Sequence, residues 1–136
     1  MEQRTDEWFA ARIGKVTASR MADVCARTKT GYAASRANYM AELVCERLTG
    51  KREEGFVNAA MQWGIDHEDA ARDAYSLKTG NLVTEVGFIP HCAIPQSGAS
   101  PDGIVEPNGC IEIKCPNTAT HIAVSYTHLR AHETRE

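Results

Sequence analysis

The chain has 136 residues, 43% hydrophobic and 24% charged, with a formal net charge of −3, which excludes a disordered or collagen-like polypeptide. No apolar run reaches the roughly eighteen residues of a membrane-spanning helix, and Met1–Asp6 is too polar for a signal peptide, so a cytoplasmic protein is expected. Residues 1–52 carry ten Lys/Arg against six Asp/Glu, whereas residues 53–122 carry three against ten, a division that suits phosphate binding in one part and cation binding in the other.

Thr5 or Asp6 can cap a short helix carrying Trp8, Phe9 and Ile13, with Gly14 ending it. Ser19 is expected to cap a second short helix over Arg20–Arg27, and Lys29–Tyr32 reads as a basic, glycine-containing loop. Ser35 is expected to cap a longer helix running to about Thr49, with Met40, Leu43, Val44 and Leu48 on its apolar face and Gly50 as its stop. A further long helix runs from about Asn58 to Thr79, followed by Gly80. Gly64 lies inside it, marking either close packing or simple tolerance.

Beyond Gly80 the pattern changes to strands: Leu82–Ile89, a short one near Ser97–Ser100, and the apolar pair Ile104-Val105. The turn signal Pro107-Asn108-Gly109 then leads into an alternating strand, Cys110–Lys114. Helices first and a β-meander after them predict an α+β, or mixed α/β, core.

Strand alternation puts Ile111 and Ile113 on one face and Glu112 and Lys114 on the other. Ile-Glu-Ile-Lys by itself describes any amphipathic strand, and Pro101-Asp102-Gly103 by itself is ordinary turn chemistry. Their combination is more informative. If the two segments pair as a hairpin, Asp102 lies beside Glu112. Two adjacent carboxylates are unfavourable without a cation, and oxygen ligands suit Mg²⁺ or Mn²⁺. A nearby ammonium polarises water or stabilises charge on a phosphate.

Four blocks occur in order. They are Asp6-Glu7-Trp8-Phe9 with Arg12-Ile13-Gly14 and Thr17-Ala18-Ser19, then Trp63–Glu68, Ser100–Gly103 and Glu112–Pro116. Together they resemble the YqaJ-like viral recombinase nucleases, the family of the phage lambda exonuclease, within the restriction-endonuclease-like PD-(D/E)xK superfamily. The resemblance covers residues 5–118. It implies a nuclease core of N-terminal helices followed by a mixed β-sheet. It also implies a metal-dependent exonuclease that digests one strand of linear duplex DNA from a 5′ end in phage-type recombination.

Carried over by position, the resemblance makes Asp102 the carboxylate shared between metals and Glu112 the second ligand, joined by the Ile113 carbonyl. Lys114 would activate or position the attacking water, and Glu68 would orient water or the second metal. Arg12 would engage the 5′-phosphate, with Ser19 as its hydrogen-bonding helper. Mg²⁺ or Mn²⁺ is the implied cofactor. Double-stranded DNA ends, a single-strand annealing protein and a homotrimer are the implied partners, in a bacterial host of phage or prophage. Family members continue with further strands and a helix bearing a glutamine and aromatic residues near the site.

Residues 123–136 are expected to be foreign to this domain. Reverse translation of Val124–Thr134 gives a codon string that resembles a sequencing adaptor, so His128 and His132 receive no role, and native sequence is expected to continue past Ile122. Residues 1–122 would then be a partial nuclease domain.

Two alternatives remain open. One is an iron–sulfur nuclease of the same superfamily using Cys92, Cys110 and Cys115. Five unclustered cysteines without a Cys-x₂-Cys run argue instead for reduced, packing thiols. The other is a non-catalytic DNA-end-binding module, against which Glu68, Asp102, Glu112 and Lys114 are all present.

Overall fold

The computed structural model describes residues 1–52 and 55–133, with side chains described through Thr127. The chain divides into two compact units, Met1–Gly55 with Val83–Ile111, and Phe56–Leu82 with Glu112–Glu136.

The first unit opens with helix α1 (Asp6–Arg12). Thr5 caps it, its hydroxyl accepting from the Trp8 amide at 3.3 Å, and Asp6 and Glu7 complement the positive helix end. Strand β1 (Val16–Thr17) follows, then a 3₁₀ turn (Ala18–Arg20) and the one-turn helix α2 (Met21–Cys25). Ser19 therefore does not cap a helix over Arg20–Arg27. Thr17 is still paired in β1, the chain tightens into the 3₁₀ turn, and the Ser19 hydroxyl bonds Thr17 Oγ1 at 3.2 Å.

The expected loop at Lys29–Tyr32 is instead a hairpin of β2 (Arg27–Thr28) and β3 (Gly31–Tyr32). Its cross-strand pair holds it together. The Arg27 guanidinium lies 4.3 Å from the Tyr32 ring centre and donates to the Tyr32 hydroxyl at 3.0 Å.

Helix α3 (Ala34–Thr49) ends at Gly50 as expected, but its first residue is Ala34 and it has no side-chain cap. Ser35 donates to the Asp23 carbonyl at 3.4 Å. The predicted apolar face is also displaced. Met40, Val44 and Leu48 are exposed, and Tyr39, 4% exposed, is the one buried large hydrophobic residue among those described. The inward stripe is Tyr39, Glu42, Leu43 and Glu46, one residue round the helix. Polar clamps turn it that way. The Tyr39 hydroxyl accepts from the Thr17 amide at 3.1 Å, Glu42 accepts from both terminal guanidinium nitrogens of Arg20, and Glu46 accepts from the Gly14 amide at 2.7 Å.

The predicted strand Leu82–Ile89 is two strands in different sheets, β4 (Val83–Thr84) and β5 (Ile89–Pro90). Between them Gly87 is buried against the N-terminus, where an added Cβ would sit 2.7 Å from the Met1 carbonyl oxygen, and the chain changes sheets there. Strand β6 (Ser97–Ala99) pairs with β5 antiparallel and with β1 parallel, in register Val16↔Ser97 and Thr17↔Gly98. Strands β7 (Gly103–Val105) and β8 (Gly109–Ile111) form a hairpin around a turn containing a cis Glu106–Pro107 bond, and β4 pairs with β7. The β8 ladder ends at Ile111, short of the expected Lys114. Burial nevertheless still alternates onward, with Ile111 and Ile113 half-buried and Glu112 and Lys114 exposed.

The second unit contains α4 (Ala59–Thr79) and α5 (Thr118–Glu133). Asn58 caps α4 by accepting from the Met61 amide at 2.8 Å, and Gly80 ends it, as the sequence predicts. A Cβ at Gly64 would meet nothing within 4 Å, so this glycine is tolerated and marks no close packing. Helix α5 extends through residues assigned from sequence to a foreign tail, and the side chains of His128 and His132 lie outside those described. Among the described residues, no helix is long and apolar enough to cross a membrane. Helices combined with parallel and antiparallel strand pairs match the expected α+β class.

Candidate active site

Arg12 is the last residue of α1, and the chain around it is locked. Gly14 adopts a left-handed φ of 67°, which lets α1 stop and turn directly onto α3. Its amide donates to Glu46 at 2.7 Å, and its carbonyl accepts from Arg47 Nε at 2.8 Å. The Arg12 guanidinium stacks on the Trp8 indole, 4.1 Å from the ring centre. Arg12 Nη1 and Trp8 Nε1 both donate to the Ser100 hydroxyl, at 2.9 and 3.0 Å.

Burial lowers the pKa of Arg12 from its ordinary value. Tyr39 and Glu46 oppose that effect, and the charge of Arg52 adds to it. The group remains a cation under any ordinary condition, because arginine starts so high. With one N–H on Ser100, the rest of its donor fork is available for an anion.

Ser19, the expected helper, is exposed and bonded to Thr17; the hydroxyl that meets Arg12 belongs to Ser100. The signal for Ser100 was in the Ser100–Gly103 block, which sequence reading used only for its aspartate. Gln3 was missed altogether. Its amide nitrogen donates to the carbonyls of Pro101 (2.8 Å) and Val86 (3.0 Å). Three residues of the N-terminal segment, Gln3, Trp8 and Arg12, therefore fix Ser100 and Pro101, and Asp102 is next in the chain. Asp102 precedes Gly103, which pairs with Ile111 in the β7–β8 ladder, and Glu112 follows Ile111. Asp102 is half-buried.

In the second unit, Lys114 Nζ is bonded to Glu112 Oε1, and both side chains are exposed. Ile113 between them is half-buried. Glu68 is buried on α4 and forms an ion pair with Arg72 at 3.0 Å, while Arg72 also reaches the exposed Asp69 at 2.7 Å. The i, i+4 spacing of Glu68 and Arg72 was a legible sign of that pair. Next to Glu68, the His67 imidazole stacks on Trp63 with ring centres 3.7 Å apart.

Asp102, Glu112 and the Ile113 carbonyl offer oxygen donors only, the chemistry of a hard divalent cation. Among the described residues, no group of three or more His, Cys, Asp or Glu side chains stands close enough to hold a metal. The five cysteines are free thiols, four exposed and Cys115 half-buried.

The YqaJ-like viral recombinase domain matches this chain over residues 7–134. Among solved structures, the chain is similar to the alkaline exonuclease LHK-Exo from Laribacter hongkongensis, with 60% identity and a TM-score of 0.79. It is similar also to LHK-Exo in complex with dAMP, again at 60% identity, with a TM-score of 0.80. Each match covers 91% of this chain and 60% of the other, so the chain spans about three-fifths of the length of these relatives. Among curated proteins there is no match.

Proposed function

We propose, from the premise that the chain belongs to the YqaJ-like viral recombinase family, that it is the catalytic part of a metal-dependent exonuclease acting on linear duplex DNA from 5′ ends. The observation that carries this reading is the Arg12–Ser100 contact. It puts a cation with spare donors two residues along the chain from Asp102. A terminal phosphate anchored at Arg12 and Ser100 would be bound immediately beside the segment that bears the metal ligand. Such coupling favours cutting at an end over cutting within a strand.

In this reading Asp102, Glu112 and the Ile113 carbonyl hold Mg²⁺ or Mn²⁺. The bound ion lowers the pKa of water and neutralises charge on the phosphate oxygens. Lys114 donates to the attacking water or to the phosphate, and its bond to Glu112 already sets its direction. Glu68 orients water or a second ion, and Arg72 holds that carboxylate in place. Ser19 lies on the segment just after β1 and is available to a longer reach of the phosphate. The match to a relative described as an alkaline exonuclease, one of whose structures is a complex with dAMP, supports a nucleic acid substrate. A single-strand annealing protein and a homotrimer are the partners this family reading brings with it.

Digestion of a linear duplex carrying one 5′-phosphate tests the proposal, with a 5′-hydroxyl duplex and a closed circle as comparisons. The expected result is Mg²⁺-dependent loss of one strand from the phosphorylated end, abolished by chelation and by Asp102→Ala. Digestion that persists unchanged in Asp102→Ala overturns the assignment.

A further inference from the structure

Cations in the first unit are mostly committed. Arg20 is taken by Asp23 and Glu42, Arg47 by the Gly14 carbonyl and Gln96, and Arg36 by the Val24 carbonyl. Arg52 differs from these. It is exposed, its guanidinium lies 3.7 Å from the centre of the Phe9 ring, and among the described residues no group of any kind is hydrogen-bonded to it. Phe9 in turn packs edge-on against Trp8, with ring centres 4.9 Å apart at 66°, and Trp8 carries Arg12 on its own face at 4.1 Å. Two guanidinium groups thus flank one aromatic pair at the end of α1.

We propose that Arg52 is a second phosphate-binding residue of the DNA-end site, engaging the internucleotide phosphate next to the terminal phosphate held by Arg12. The inference rests on the end-binding reading above. A guanidinium lying on an aromatic ring is held in orientation while its N–H edge stays open, and that edge matches the oxygens of a phosphate. Two cations near one another on a protein surface are mutually unfavourable, and the charge of Arg52 is felt at Arg12. A single strand end presents successive phosphates and relieves that repulsion at both groups. The aromatic pair acts as the spacer. With one guanidinium on the Trp8 ring and the other on the Phe9 ring, each can take its own phosphate, so the site reads the start of a strand.

Binding of a labelled, 5′-phosphorylated linear duplex is measured by anisotropy across a salt series in chelator, so that no cleavage occurs. Arg52→Gln is expected to reduce the slope of log affinity against log salt by about one, the loss of one phosphate contact. Arg52→Lys should retain the slope. The stack on Phe9 alone would affect thermal stability but not the salt slope. On the DNA side, an uncharged methylphosphonate at the first internucleotide position should weaken wild-type binding several-fold and leave Arg52→Gln unaffected. An unchanged slope in Arg52→Gln overturns the proposal, as does a methylphosphonate effect of equal size in both proteins. If Arg52→Gln fails to fold, the methylphosphonate scan of the wild type decides, and no weakening at that position overturns it. Arg12→Gln separates this from the end-binding reading. If the wild type and Arg12→Gln both ignore the 5′-phosphate, that reading fails, whatever Arg52 does to the slope.

Discussion

Replacing Ser100 by alanine removes one hydroxyl that accepts from two donors, Arg12 Nη1 at 2.9 Å and Trp8 Nε1 at 3.0 Å. A net hydrogen bond to a charged donor is worth about 1.5–3 kcal/mol and one to a neutral donor about 0.5–1.5 kcal/mol. Both donors are half-buried, so water replaces part of what is lost, and the expected cost to folding is about 2 kcal/mol. The functional effect is separate. Without the hydroxyl, Arg12 keeps its stack on Trp8 but loses the bond that, in the proposed end-binding role, would direct it toward a phosphate. A misdirected cation should cost about 1.4 kcal/mol of phosphate affinity, a tenfold change.

The assay is the ratio of digestion rates on 5′-phosphorylated and 5′-hydroxyl duplexes at subsaturating DNA. Ser100→Ala should lower that ratio about tenfold, and Arg12→Ala should lower it further. Trp8→Phe removes the second donor but keeps a ring beneath Arg12, so it should change the ratio little. If Arg12→Ala abolishes phosphate preference while Ser100→Ala leaves it intact, Ser100 does not orient Arg12, and the argument fails.

Three further outcomes follow from the packing. Gly14→Ala places a Cβ 2.5 Å from Arg47 Cγ on a backbone at φ 67°, and the left-handed conformation alone costs about 1–2 kcal/mol, readable as a lowered denaturation midpoint. An unchanged midpoint would mean that α1 and α3 are not clamped there. Tyr39→Phe strips the acceptor from the buried Thr17 amide, and urea unfolding should show a loss of about 1–3 kcal/mol. Arg72→Met breaks a buried ion pair and should cost about 3–5 kcal/mol while slowing digestion. Adding Glu68→Gln to it should recover stability but not activity, and recovered activity would remove Glu68 from the mechanism.

Much of the chain's local structure was legible because it is set by neighbours in sequence. Thr5 caps α1, Asn58 and Gly80 bound α4, Gly50 ends α3, and Pro107-Asn108-Gly109 turns the β7–β8 hairpin, each within a few residues. Errors arose where a distant partner overrode the local preference. Ser19 and Ser35 have capping chemistry, yet each hydroxyl is taken by a contact outside the helix it was expected to start. The α3 face was read from its apolar residues, but Tyr39, Glu42 and Glu46 turn the helix one residue round, through polar contacts to Gly14, Thr17 and Arg20. Leu82–Ile89 has strand composition throughout, yet it is divided between two sheets, with Gly87 packed against Met1 between the two strands.

The sequence by itself determined the family, the α+β class and the residue types of the proposed chemistry, since four ordered motifs need no coordinates to be recognised. Only the tertiary structure decided which hydroxyl meets Arg12. Ser100 lies 88 residues from it, and Gln3 lies 98 residues from the Pro101 carbonyl that it holds. No local pattern encodes such pairs, because they exist only after β1 and β6 align and α1 stops at Gly14. The same folding sets Arg12 and Arg52 on either side of Trp8 and Phe9, turning scattered basic residues into an oriented pair.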